Sequence, residues 1–320
     1  MTPLLELIDL EKNFKVKASS FRRSRETLTA VNRVNLEIRS GECLGLVGES
    51  GCGKTTLARL IVRLEKPSKG RIIFDGQDLS NLNHKDEMIF RRRVQMIFQD
   101  PYSSLNPRKT VGSIIGESWR IHSLGNSGER REKVMELMEE VGLRPEFYSR
   151  YPHEFSGGQR QRVGIARALS LNPDLIVADE PVSALDVSIQ AQVINLLKDL
   201  QSKFNLTYLF IAHNLSLVRH VADCIAVMYL GQLVELVPKE LFGKVHHHPY
   251  TLALLASIPI AKPGAKKKAK PLLGDVPSPI NPPSGCTFHP RCPEQVEVCH
   301  TIPPELREVS LNHCISCHRR

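Results

Sequence analysis

The chain has 320 residues, 41% hydrophobic and 24% charged, with a formal net charge of +9. That length buries one large core with room for a small appended domain, and the composition is ordinary for a soluble protein. No apolar run reaches the roughly 18 residues of a membrane span and the N-terminus lacks a signal-peptide core, so the expectation is a cytosolic protein that docks on membrane proteins if at all. Much of the positive excess is local, in Arg91-Arg92-Arg93, Lys262 to Lys270 and Arg319-Arg320, and no nucleic-acid partner is expected.

In chain order, Leu4 to Leu10 and Leu28 to Ile38 alternate as antiparallel strands do. Phe14 and Phe21 flank a basic, Ser-containing loop between them, and Phe14 is the candidate to stack on an adenine ring. Cys43-Leu44-Gly45-Leu46-Val47 reads as a buried strand, and Leu57 to Leu64 has helical apolar spacing. Between them lies Gly48-Glu49-Ser50-Gly51-Cys52-Gly53-Lys54-Thr55, followed by Thr56, which fits G-x-x-x-x-G-K-[ST]. Strand, glycine-rich turn and helix N-terminus is the setting in which backbone N–H groups converge on phosphate oxygens. Lys54 reaches the outer phosphates there, and the Thr55 hydroxyl holds Mg²⁺.

Arg71 to Phe74 reads as a strand closed by the Asp75-Gly76 turn, and Arg91 to Ile97 leads into Phe98-Gln99-Asp100-Pro101, a loop at a sheet's carboxyl edge where ligands bind. Thr110 to Leu171 is helical in pattern, with a break near Ser123 to Gly128, and is long enough for a separate helical lobe. Phe155-Ser156-Gly157-Gly158-Gln159 opens a periodic helix from Arg160 to Ser170; the Ser and glycines make either an anion site or an ordinary N-cap. Leu175 to Ala178 is an apolar strand ending in Asp179-Glu180, adjacent carboxylates that need a cation or water network. Asp179 suits Mg²⁺, and Glu180 suits orientation of an attacking water. Ser183-Ala184-Leu185-Asp186 turns into a helix from Ser188 to Lys203. Leu206 to Ala212 is a buried strand ending at His213, a candidate contact for the γ-phosphate. Cys224 to Met228 and Leu233 to Leu236 are further strands.

Taken together, these motifs resemble the ATP-binding subunits of ABC transporters over about residues 4–258. In order they are the phosphate loop, the Q-loop Gln99, the signature Phe155 to Gln159, the carboxylates Asp179 and Glu180, the D-loop Ser183 to Asp186, and the switch His213. Gln95 to Pro101 running on through Ser104-Leu105-Asn106-Pro107-Arg108, and His248-Pro249-Tyr250-Thr251 with Leu254-Leu255, are similar to the dipeptide/oligopeptide importer ATPases. The resemblance implies an α/β P-loop NTPase core with an antiparallel β subdomain and a helical subdomain at about 105–172. It also implies two ATPs clamped head to tail between this chain and an identical or paralogous cassette. Lys54, Gln99, Glu180 and His213 would then be catalytic, with Thr55, Gln99 and Asp179 around Mg²⁺. Gly48 to Thr56 and Phe14 would bind ATP in one subunit, and Ser156 to Gln159 would face the partner's nucleotide. Further partners implied are two integral membrane permease subunits and a solute-binding protein, with this chain peripheral on the cytoplasmic face of the inner membrane. An importer ATPase for another solute, nickel or a peptide-like compound, and a soluble ABC-type ATPase acting on nucleic acid or ribosomes are the rival functions.

Of eight cysteines, Cys43, Cys52 and Cys224 are scattered, while Cys286, Cys292, Cys299, Cys314 and Cys317 crowd the stretch 286–320 behind a Pro/Lys-rich linker at 259–285. In a cytosolic chain that argues for metal rather than disulfides. Gaps of five, six and seventeen residues separate Cys286, Cys292, Cys299 and Cys317, looser than the paired ligands of structural zinc. Soft thiolates permit zinc or an iron–sulfur cluster. The resemblance, carried by Phe288-His289-Pro290-Arg291-Cys292-Pro293 and the Cys317-His318 ending, points to a [4Fe–4S] cluster on those four, with Cys314 the surplus thiol.

Overall fold

A computed structural model describes residues 2–17, 25–257 and 274–320, and the chain divides into two compact units. One comprises Met1–Ile38, Cys43–Ser80 and Ala212–Arg320; the other comprises Arg39–Glu42 and Asn81–Ile211. Phe21, Lys262 to Lys270 and most of the expected linker lie outside the described residues.

In the first unit β1 (Leu5–Lys17) and β2 (Arg25–Ile38) pair antiparallel, and Leu5, Leu7, Leu10, Val31, Val34, Leu36 and Ile38 are buried. Alternation thus selects a core face, each buried Leu or Val contributing about 1.5–3 kcal/mol. Phe14 sits opposite Leu28 inside β1, not at the edge of a loop, because the pairing continues as far as Lys17 opposite Arg25. β3 (Cys43–Val47) is buried along its whole length and ends in the phosphate loop, which feeds α1 (Lys54–Ile61). β4 (Lys69–Phe74) turns through Asp75-Gly76, both at positive φ, into β5 (Gln77–Asp78), completing a sheet of order β2-β1-β4-β5.

The second unit begins with α2 (His84–Arg93), which the hydrophobic pattern did not reveal. Asn83 caps it by accepting from the Asp86 N–H, with Asp86 and Glu87 in its first turn and Arg91, Arg92 and Arg93 in its last. The basic run is therefore the complement of a helix dipole. β6 (Val94–Ile97) follows, then α3 (Val111–Ile115), α4 (Glu117–Ile121) and α5 (Ser127–Glu140), the last opened by a capping box between Asn126 and Glu129. The expected break falls between α4 and α5, where Ser123 and Gly125 take positive φ. α6 (Gly157–Leu169) packs on β6, α3, α5 and α7 (Val187–Phe204) with Val163, Ile165, Ala166 and Leu169 buried. β7 (Leu175–Asp179) lies parallel to β6 on one side and β8 (Thr207–Ile211) on the other, both β7 and β8 wholly buried. Apolar residues on both faces of parallel strands explain why these runs lack alternation.

Returning to the first unit, α8 (Leu215–Val221) leads to β9 (Cys224–Tyr229), which runs parallel to β3. Gly45 of β3 admits α8, since a Cβ there would meet Val218 Cγ1 at 2.2 Å. Leu230-Gly231, both at positive φ, turn the chain into β10 (Gln232–Pro238), as a tight hairpin requires. After α9 (Pro249–Ser257) the Cys-rich segment ends in a hairpin of β11 (Arg307–Ser310) and β12 (His313–Ile315), which adds to the edge of β10. No helix among the described residues is long and apolar enough to cross a membrane.

Candidate functional site

In the first unit the phosphate loop connects β3 to α1. Gly53, the N-cap of α1, has φ 110°, and a Cβ there would stand 2.2 Å from the Ala30 carbonyl oxygen. At Gly48 a Cβ would stand 2.2 Å from the carbonyl oxygen of Met228. Only glycine fits at these approaches. Lys54 is 5% exposed, and its Nζ donates to the carbonyls of Gly48 at 2.7 Å and Glu49 at 2.9 Å. The ammonium is thus held inside its own loop. Burial pushes the Cys52 thiol up despite the Lys54 charge beside it, so it is a neutral packing group.

His213 follows Ala212, whose N–H donates to the Leu46 carbonyl on the strand that ends in the loop. His213 lines a cavity of about 300 Å³ with Val47, Gly48, Glu49, Asn214, Leu254 and neighbouring residues. The loop and the switch histidine thereby meet at one opening. Phe14 is half-buried, and Lys12 Nζ stands 4.9 Å from its ring centroid.

In the second unit, register does the corresponding work. Ile97 pairs with Ala178, so Gln99 and Glu180 leave neighbouring strand ends together, and Gln99 Nε2 donates to Glu180 Oε2 at 2.9 Å. Asp179 ends β7, 2% exposed, opposite Ile211. Glu180 has φ 46°, a left-handed conformation that non-glycine residues seldom take. It is held by its N–H to the Ile211 carbonyl and by Ser183 Oγ donating to its own carbonyl. Such strain, fixed by the surroundings, is a mark of functional positions.

Ser156 caps α6: its Oγ accepts from the Gln159 N–H at 3.3 Å while Gln159 Oε1 accepts from the Ser156 N–H at 3.0 Å. A Cβ on Gly158 would meet Ile189 Cγ2 at 2.6 Å, and one on Gly157 would meet Leu185 Cδ2 at 3.3 Å. The signature glycines therefore let the first turn of α6 lie against the D-loop and the start of α7.

In the Cys-rich segment, Cys286 and Cys299 are joined through the Cys286 N–H and the Cys299 carbonyl at 2.8 Å. Burial raises the Cys292 thiol to about 11, with Cys286, Cys317 and Cys299 adding to it; burial likewise raises Cys286, with Cys299 and Cys317 adding. Burial raises the Cys314 thiol, with Glu308 adding to it.

Sequence reasoning missed two constellations. Glu235, His247 and His313 are buried together, with Glu235 Oε1 2.6 Å from His247 Nδ1 and 2.8 Å from His313 Nε2. The Gly243 N–H donates to His247 Nε2, so Nδ1 carries the proton and donates to Glu235. That tautomer makes the group a hydrogen-bonded triad and not a metal centre. Burial pushes the Glu235 carboxyl up, but the hydrogen bonds from its partners hold it below the usual carboxylate range. The second constellation is an ion pair of Arg291 with Glu49 of the phosphate loop. No local signal marks either one. Their members stand up to 78 and 242 residues apart.

The ABC transporter family matches residues 31–183, and the oligopeptide/dipeptide transporter C-terminal region matches residues 234–299. The oligopeptide transport ATP-binding protein AppF of Bacillus subtilis (strain 168) is 54% identical over 318 residues, covering 98% of this chain and 97% of that protein. The post-hydrolysis dimer of the ATP-binding cassette MJ0796 bound to ADP and Pi aligns with a TM-score of 0.66 at 29% identity, covering 73% of this chain and 98% of that one. The structure of cbiO1 from Clostridium perfringens, part of the ABC transporter complex cbiONQ, aligns at 0.64 and 26%, covering 76% and 91%.

Proposed function

The chain belongs to the ATP-binding subunits of ABC peptide importers, and from that premise we propose how its residues bind and hydrolyse ATP. It is the ATPase subunit of a peptide importer. The observation that carries the mechanism is the preformed loop, in which the Lys54 ammonium is buried beneath glycines whose backbone has no room for a side chain. Such a loop receives the β- and γ-phosphates on its N–H groups, with Lys54 exchanging carbonyl partners for phosphate oxygens. Thr55, Gln99 and Asp179 offer hydroxyl, amide and carboxylate oxygens, a hard donor set that suits Mg²⁺, which would offset charge on the phosphates. Glu180 takes a proton from the attacking water, the new P–O bond forms at the γ-phosphorus, and the bond to the β–γ bridging oxygen breaks. Gln99, bonded to Glu180, positions that carboxylate, and His213 contacts the γ-phosphate. Phe14 stacks on the adenine.

The Ser156-Gly157-Gly158-Gln159 turn is assigned to the nucleotide of a second cassette, identical or paralogous. A triphosphate surrounded from two chains holds them together until phosphate leaves, and opening is passed through the helical lobe to two permease subunits. On this reading the chain works at the cytoplasmic face of the membrane, with a solute-binding protein presenting peptide on the other side. Cys286, Cys292, Cys299 and Cys317, separated by gaps looser than the paired ligands of structural zinc, suit a [4Fe–4S] cluster, for which thiolates are the usual ligands. The cluster would supply structural cross-linking to a segment with little core of its own. The test of the assembly is purification of the tagged chain from native membranes. Recovery of integral permease subunits with a second cassette is expected, and recovery of ribosomal proteins or nucleic acid without permeases would reject the importer.

A further inference from the structure

The Cys-rich extension reaches back to the phosphate loop and grips it at one residue, Glu49. Arg291 lies in a 3₁₀ turn spanning His289–Arg291, between two of the clustered cysteines. Its Nη1 donates to Glu49 Oε2 at 2.7 Å and its Nη2 to Glu49 Oε1 at 3.0 Å, a bidentate pair in which the Arg291 side chain is 6% exposed and that of Glu49 27%. Such a fork fixes orientation as well as charge. The Glu49 N–H donates to Tyr250 Oη at 2.9 Å, and burial, foremost among its causes, pushes the Tyr250 hydroxyl far above the ordinary tyrosine range. Tyr250, Tyr229 and Phe288 are fully buried and pack with ring centroids 4.8–5.4 Å apart, so the hydroxyl and the guanidinium approach Glu49 from a rigid aromatic floor. Both the backbone N–H and the carboxylate of Glu49 are therefore held by residues outside the loop. Its remaining polar group, the carbonyl, accepts from Lys54 Nζ at 2.9 Å and from the Cys52 N–H at 3.3 Å.

We infer that Arg291 is a positioning residue for ATP binding: through Glu49 it sets the carbonyl that aims the Lys54 ammonium, and the Cys-rich extension is thereby part of the nucleotide site. The inference rests on the ATPase reading above. Arg291 touches no nucleotide; it acts by keeping Glu49, and through it Lys54, in the receiving geometry. A lysine in its place supplies charge without the fork.

The experiment is MgATP binding and steady-state hydrolysis on the full chain carrying Arg291→Met, Arg291→Lys, Glu49→Gln, the double Arg291→Met/Glu49→Gln, and Lys54→Ala. Arg291→Met and Glu49→Gln should each raise the dissociation constant and KM for ATP by about fivefold to thirtyfold. The kcat at saturating ATP should move by less than about threefold, a split that general destabilisation does not produce. The double variant should be no weaker than either single one, and Arg291→Lys should fall between wild type and Arg291→Met. Glu49→Gln alters no residue of the extension itself, so it decides the matter even where Arg291→Met yields poorly folded protein. Wild-type affinity in Glu49→Gln, or additive losses in the double variant, would overturn the inference. If the unaltered chain binds no ATP, or Lys54→Ala binds it as well as the unaltered chain does, the ATPase reading itself fails.

Discussion

Glu180 combines a left-handed backbone, a buried strand behind it and a hydrogen bond from Gln99. A carboxylate in that setting is aimed by its neighbours and not by its own rotamer freedom. Glu180→Gln keeps the shape and removes the base. Its kcat should fall by about a hundredfold or more while ATP affinity stays within about twofold. A phosphate-release assay beside equilibrium binding checks this; unchanged turnover would remove Glu180 from the reaction. The residue types of the site were legible because each closes an apolar run: Lys54 after a glycine turn, Glu180 and His213 after buried strands. The Gln99–Glu180 hydrogen bond was not legible, since it depends on the parallel register of β6 and β7, which local sequence does not encode.

Among elements, the turn from β3 into α1 has little freedom. Gly53 at φ 110° faces the Ala30 carbonyl, so Gly53→Ala forces the loop backbone to move. MgATP affinity should drop by about tenfold or more, read by equilibrium binding, with the fold retained by circular dichroism. The His-Pro-Tyr entry to α9 makes a second case. Burial lowers the pKa of His248 to about 4, and its Nδ1 accepts from the Tyr250 N–H. Between that value and the ordinary histidine pKa, the unfolded chain binds a proton the folded chain refuses. The neutral ring's contribution is therefore complete above about pH 6.5 and is lost as pH falls toward 4. From pH 7.5 to 5 this side chain should withdraw about 2 kcal/mol, measured as a shift of the urea midpoint that His248→Gln lacks. The missed elements have physical reasons too. α2 carries little apolar periodicity and is defined by its caps and charges, while the β11–β12 hairpin is short, with every residue of β11 exposed. The helical stretch, the buried strands and the early hairpin were legible because their core faces repeat at regular spacing.

For the molecule as a whole, the candidate residues divide between the two compact units: the phosphate loop and His213 in one, Gln99, Asp179, Glu180 and Ser156 to Gln159 in the other. The Glu180→Gln variant should associate with its partner cassette when MgATP is added and separate when nucleotide is removed, as followed by light scattering; association indifferent to nucleotide would count against the clamp. Protein purified without oxygen should be brown and carry iron with acid-labile sulfide, and loss of colour in Cys292→Ser should accompany loss of iron, whereas a colourless, zinc-loaded sample would replace the cluster with zinc. The extension's hold on Glu49 lay beyond reach of the sequence, because a pair 242 residues apart becomes visible only once the chain has folded back. The most direct measurement is uptake of a labelled oligopeptide into proteoliposomes containing the co-purified permease, with ATP supplied on the cassette side. The account predicts accumulation that requires hydrolysable ATP and is lost with Glu180→Gln; uptake that proceeds equally with Glu180→Gln, or without ATP, would contradict it.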